Sequence, residues 1–222
     1  RLIRSFAYTI CCFITITGCI MSSHPPFSLL LKKDLPNFSS ASAIELYKDR
    51  LYVIGDDSRV LYILDKQYTV VDTVMMFPGE SLRIPKKEKT DLEASTIIQY
   101  NGNDYLLVAG SASTPEREAF FLFPLNDLQK HERINGHAFY QLLKQQGIPI
   151  INIEGLAAID GQLVFANRAN LSQPDNHLIT VPVDFLHDTA LVTPVITTLK
   201  LPQAHDAIIG ISGLAYIAAT DL

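Results

Sequence analysis

Past residue 19 the sequence holds no cysteine; all three, Cys11, Cys12 and Cys19, fall in the opening stretch. A disulfide framework, a cysteine zinc site and a thiol nucleophile are thereby excluded from the rest of the chain. Long basic runs are lacking too. The net charge is -5, and Lys86, Lys87 and Lys89 form only a small cluster. A nucleic-acid partner is not expected on that pattern. The six histidines, His24, His131, His137, His177, His187 and His205, are scattered without ligand spacing. No P-loop, dinucleotide-binding glycine motif, H-E-x-x-H or G-x-S-x-G elbow occurs. The full sequence is 48% apolar and 18% charged, the composition of a chain with a packed core.

The first residues read as a targeting segment. Arg1 and Arg4 precede an apolar run from Phe6 to Ile16, too short to span a bilayer as a helix. Ile16-Thr17-Gly18-Cys19 then follows. This pattern looks like a bacterial lipoprotein signal, in which residues 1–18 are removed and Cys19 is lipidated. An ordinary signal peptide or an anchor helix is the plainer reading. Residues 19–26 would form a tether. The expected location is the bacterial cell envelope, lipid-anchored and facing the periplasm or exterior. The chain opens on Arg1 and ends within SGLAYIAATDL. We expect a fragment.

From Ser40 onward a pattern repeats. Units start near residues 40, 93, 154 and 212, roughly 50–60 residues apart. Each opens on a hairpin: SASAIELY with LYVIGDDS, EASTIIQY with YLLVAGSAS, EGLAAI with QLVFANRAN, and lastly SGLAYI alone. The strands are rich in β-branched and aromatic residues, and Asp-Gly or Asn-Gly turns separate several of them. Four short strands per unit point to an all-β chain, a β-propeller of four-stranded blades over residues 27–222. A sandwich would not repeat its first hairpin. A strand over Phe27–Leu31 is expected to complete the last blade. HAFYQLLKQQ, residues 137–146, places Phe139, Leu142 and Leu143 on one helical face before Gly147 and Pro149, so one short helix is expected there.

Reflecting each hairpin about its turn predicts which residues meet. Glu154 should face Arg168, Glu93 should face Ser111, and Ser40 should face Asp57. In a propeller these strand ends share one rim of the channel. Asp56, Asp57, Asp91, Glu93, Ser111, Arg117, Glu154, Asn167 and Arg168 are therefore the candidate ligand-binding residues. Each has a plainer role. Glu154 and Arg168 could be a structural pair. Asp56-Asp57 could be an ordinary polar turn. Arg117 could reach over the mouth or pair with Glu116 or Glu118. Lys86, Lys87 and Lys89 read as a solvated loop or an attraction for an anion on the same rim. Glu93 has no cation in its own blade, which makes it the foremost candidate. If a metal binds, Glu93 and Glu154 are its first ligands, and an all-oxygen set suits Ca²⁺.

KTDLEAST, LLVAGSASTPERE and NIEGLAAIDGQLVFANRAN resemble an uncharacterised bacterial propeller family, similar to the phytase-like (esterase-like activity of phytase) propellers. The most specific parts are Asp91-Leu92-Glu93, Asn152-Ile153-Glu154-Gly155 and Asn167-Arg168-Ala169-Asn170. The resemblance implies six blades, of which this chain would carry about three and a half. It also raises ester or phosphoester hydrolysis with calcium, although no dense acidic calcium cluster is present. The expectation is a propeller that binds a small or extracellular ligand at one mouth of its channel. A metal-assisted hydrolase and a protein-interaction scaffold are the alternatives.

Overall fold

The computed structural model describes residues 29, 31–35, 38, 40–201 and 208–217. The expected targeting segment, Cys19, the expected tether and most of the expected 27–31 strand lie outside the described residues. Leu29 and Leu31 carry no strand. The chain divides into two compact units, Arg1–Asp34 and Leu35–Leu222, and the second holds the elements below. Among the described residues no helix is long and apolar enough to cross a membrane.

Three four-stranded antiparallel sheets form in chain order. The first comprises β1 (Ala41–Tyr47), β2 (Arg50–Gly55), β3 (Val60–Leu64) and β4 (Val70–Met75). The second comprises β5 (Leu92–Tyr100), β6 (Asn103–Gly110), β7 (Ala119–Pro124) and β8 (Glu132–Asn135). The third comprises β9 (Ile153–Ile159), β10 (Gln162–Asn167), β11 (Asn176–Pro182) and β12 (Val195–Leu199). Each is a plain meander, so each strand pairs with its chain neighbour. The leading hairpins close on two residues. Asn101-Gly102 and Asp160-Gly161 all take positive φ, between 48° and 75°, the backbone that matches strand twist in a tight hairpin.

The leading strands β1, β5 and β9 lie side by side, with β5 between the other two. The sheets stack face to face behind them as blades. Alternation in the second sheet serves both neighbours. Leu106, Val108, Phe121 and Phe123 join a core with Ile54, Leu61, Ile63 and Val74 of the first sheet. Leu107, Ala109, Phe120 and Leu122 point the other way, into a core with Leu163, Phe165 and Ile179 of the third. A strand with both faces covered has no reason to alternate polar and apolar, which is why AFFLFP reads as an unbroken apolar run. Each fully buried Leu or Phe contributes about 1.5–3 kcal/mol.

The helix α1 (His137–Gln145) follows the outermost strand β8. Its buried face, Phe139, Tyr140 and Leu143, caps the core between the second and third sheets. Phe139 and Phe120 both pack on Phe185, with ring centres 5.1 and 5.5 Å away. Glu118, fully buried, clamps the helix. Its Oε1 accepts from Lys144 Nζ at 3.0 Å and its Oε2 pairs with His137 Nδ1 at 2.5 Å. The expected fourth unit is described from Ile208 to Ile217 and forms no strand there. It nonetheless packs on the third sheet. Gly155 lies so close that an added Cβ would sit 2.8 Å from Leu214 N.

Candidate functional site

Each leading strand begins with the same irregularity. Pairing slips between Ala41 and Ala43 in β1 and between Leu92 and Ala94 in β5. In the third sheet it slips where Asn167 pairs with Ile153 but Ala166 pairs with Gly155. Ser42, Glu93 and Glu154 are thus the extra residues of three equivalent bulges. A bulge bends its strand and re-aims a side chain. These three residues line one open cleft of about 450 Å³, together with Glu45, Ser95 and Ser212. Two residues before the bulge, Ser40 and Asp91 take the left-handed φ of 57° and 53°.

The bulges correct the predicted pairings. Ser111 N donates to Asp91 O at 2.8 Å, Arg168 N to Asn152 O at 2.9 Å, and Asp56 N to Ser40 O at 3.1 Å. Ser111 therefore faces Asp91 and not Glu93, Arg168 faces Asn152 and not Glu154, and Ser40 faces Asp56 and not Asp57. One residue of each difference is the bulge. In the second and third sheets the other residue comes from a turn of two residues where reflection assumed three.

Most of the candidate side chains are already paired. Asp91, buried, accepts from Ser111 Oγ at 2.7 Å and Arg117 Nη1 at 2.7 Å, and pairs with Lys89 Nζ at 2.5 Å. Lys89 also pairs with Asp56. Arg117 therefore turns to Asp91, with a second bond to Ser113 Oγ at 2.8 Å, and leaves Glu118 to the helix. Asp57 accepts from Arg83 Nε at 2.8 Å. Asn167 is wholly buried, and its Oδ1 accepts from Asn152 N at 2.7 Å while its Nδ2 donates to Ile150 O at 3.3 Å. Asn167 is a backbone clamp that does not line the cleft. Glu154 accepts from Asn152 Nδ2 at 2.7 Å and Arg168 Nη1 at 3.3 Å. Arg168 is 46% exposed, so that pair is worth little in stability.

Glu93 is different. Among the described residues its carboxyl takes part in no hydrogen bond or ion pair. Burial first, then the neighbouring charges of Asp91, Glu154 and Asp56, push its pKa up to about 8, against a smaller opposing pull from Lys89. At neutral pH Glu93 is mostly protonated, so it can donate as well as accept a hydrogen bond. Glu45, on the same cleft, is pushed up to about 7 by burial, with the hydrogen bond from Ser95 Oγ opposing. Sequence reasoning did not single out Glu45. The sequence carries no signal for it: in β1 Ile44 and Leu46 are exposed and Glu45 takes the covered face, the reverse of what their residue types suggest.

Asp56, Asp91 and Glu93 each bring one carboxylate oxygen within 4.8 Å of the others. A calcium ion takes six to eight oxygen ligands. Here Asp56 and Asp91 both hold the Lys89 ammonium. The donor set does not fit calcium unless Lys89 is displaced.

No curated protein matches this sequence. Among solved structures, the chain is similar to the Cps50 (Swd1) β-propeller domain of Myceliophteria thermophila, at 12% identity and a TM-score of 0.37, over 70% of this chain and 38% of that one. It is similar to the WD40 domain of Neurospora crassa Pan2 at 12% identity and a TM-score of 0.34, over 70% of this chain and 51% of that one. The chain thus spans about half or less of the length of either. The assignment of its sheets as blades rests on their own meanders and on the adjacent leading strands. A family model matches residues 37–222, and the chain belongs to that family, described as a family of unknown function (DUF6929).

Proposed function

We propose that the protein is a bacterial cell-envelope propeller, lipidated at Cys19, that binds a small ligand in the cleft where the strand bulges converge. One observation carries this reading: Glu93 is a half-buried carboxyl on a cleft built from several blades, and no side chain or backbone group of the described protein satisfies it. Burial makes the ionised form of the Glu93 carboxyl costly. A ligand amine would remove that cost. It would also draw the proton from Glu93, because an adjacent cation favours the carboxylate. Glu45, Glu154 and the hydroxyls of Ser42, Ser95 and Ser212 surround the same space. The amine is therefore the favoured class of ligand group. A calcium-assisted, phytase-like hydrolase has less support, since Lys89 occupies the carboxylates such a metal would use.

The test uses putrescine as a diamine probe in calorimetry at pH 7, in two buffers of different ionisation heat. Binding should release protons, and Glu93→Gln should weaken it about tenfold while the protein stays folded. Equal affinity in wild type and variant, or no heat at all, sinks the reading. Lipidation is tested separately. Cells fed a labelled fatty acid should incorporate it into the protein, and Cys19→Ala should abolish that label; no label in wild type, or label that persists in the variant, counts against the anchor.

A further inference from the structure

A second cavity, of about 580 Å³, opens beside blade one and shares no residue with the cleft. Its walls come from the ends of β1 and β2 and from the long loop that joins β4 to β5. The loop is tied down across the blade: Arg59 N donates to Leu82 O at 3.0 Å, Ile84 N to Asp57 O at 2.7 Å, and Met76 N to Arg59 O at 2.8 Å.

The charges around this cavity do not balance. Arg59, Arg83, Lys86 and Lys89 line it against Asp56 and Asp57. Arg83 is matched by Asp57, and Lys89 by Asp56. Among the described residues Arg59 and Lys86 have no carboxylate. Lys86 is an exposed side chain, free to swing, but Arg59 is held. Its Nη1 donates to Pro78 O at 2.5 Å, and Gly79 packs on the guanidinium so closely that an added Cβ would lie 2.5 Å from Cζ. Gly79 takes a φ of +147°, which glycine alone adopts readily. A guanidinium fixed in a cavity wall without an acid is a preformed anion receptor.

Unsatisfied atoms gather at the same place. Arg59 Nε has no acceptor, and Asp56 Oδ1 and Asp57 Oδ1 have no donor, though all three are buried. Asp57 itself is more than nine-tenths buried. Such atoms are under-satisfied in the free protein, and a bound polar group or its water shell would complete them.

We infer that this cavity is a binding subsite for a hydroxycarboxylate, with Arg59 and Lys86 receiving the carboxylate and the Asp56–Asp57 wall receiving the hydroxyl. The two aspartates in the wall oppose a doubly charged phosphate and tolerate a single negative charge. The subsite is lined by residues other than those of the cleft, and the two meet where an Asp56 oxygen comes within 4.8 Å of a Glu93 oxygen.

The experiment titrates the full chain with glycolate, acetate and inorganic phosphate at pH 7.5, following the Arg59 Nε–Hε resonance and binding heat. Glycolate should bind saturably in the millimolar range, more tightly than acetate and phosphate. Arg59→Gln should weaken glycolate about tenfold and Lys86→Ala about threefold. Lys86 is exposed, so its variant keeps the test open if Arg59→Gln fails to fold. Glycolate is titrated in the absence of putrescine, so failure of the amine reading leaves this result readable. Absence of saturable glycolate binding, unchanged affinity in Lys86→Ala, or tighter binding of phosphate would each overturn the assignment.

Discussion

Replacing Glu93 by Gln tests the electrostatics of the cleft without any ligand. Glu93 titrates at about 8 in the folded protein, against 4.5 for the unperturbed group. Between those values the folded state binds one proton more than the unfolded state. Stability therefore falls as pH rises through that window, and it is highest below it. Each pKa unit corresponds to about 1.4 kcal/mol, and we halve the total because the cleft is open to water, which leaves roughly 2 kcal/mol. Glutamine keeps the shape and cannot ionise. Glu93→Gln should match wild type at pH 5 and exceed it by about 2 kcal/mol at pH 9, or about 4–8 °C in melting temperature for a chain of this size. The assay is urea denaturation at pH 5, 7 and 9, with slopes compared to confirm a common unfolding transition. Two curves that run parallel across the whole range would refute the reasoning, because Glu93 would then not change its proton occupancy on folding.

Tyr140→Phe should stabilise the protein by about 1 kcal/mol, read by chemical denaturation, because the Tyr140 hydroxyl is buried without a partner; a loss of stability would show that the hydroxyl is satisfied in solution. Gly155→Ala places a methyl against Leu214 and the Gly213 backbone. Amide exchange across residues 208–217 should quicken while the protection of β6 and β10 holds, and unchanged exchange would mean the segment is not packed there. Asp91 is buried among Lys89, Arg117 and Ser111. Asp91→Ala should cost about 3 kcal/mol through its stranded cations, plus about 1 kcal/mol for alanine in the left-handed backbone, whereas Asp91→Asn escapes the second penalty. Equal losses in the two variants would remove the backbone from the account.

The strands were legible because their pattern is local. Apolar runs cut by Asp160-Gly161 or Asn101-Gly102 define hairpins whatever lies around them, and their recurrence defines blades. The helix at His137 was legible by the same rule, from apolar spacing and the Gly147 and Pro149 that follow. The gathering of Glu93 and Glu154 followed from the repeat alone, since equivalent residues of adjacent leading strands must share a rim. The partners did not follow. A bulge leaves no mark in composition, and it moved Ser111 from Glu93 to Asp91. Arg117 sits beside Glu116 and Glu118 in sequence, yet it bonds to Asp91, because Glu118 is drawn inward by His137 and Lys144. Lys89 reads as loop charge until the β4–β5 connection folds it between Asp56 and Asp91. By itself, then, the sequence determined the all-β repeat and which residues stand at the strand starts, because those depend on neighbours a few positions away. Only the tertiary structure decided which carboxylates are neutralised and which one, among the described residues, is left without a partner in the cleft, because charge pairing and burial depend on distances between segments that the chain order does not contain.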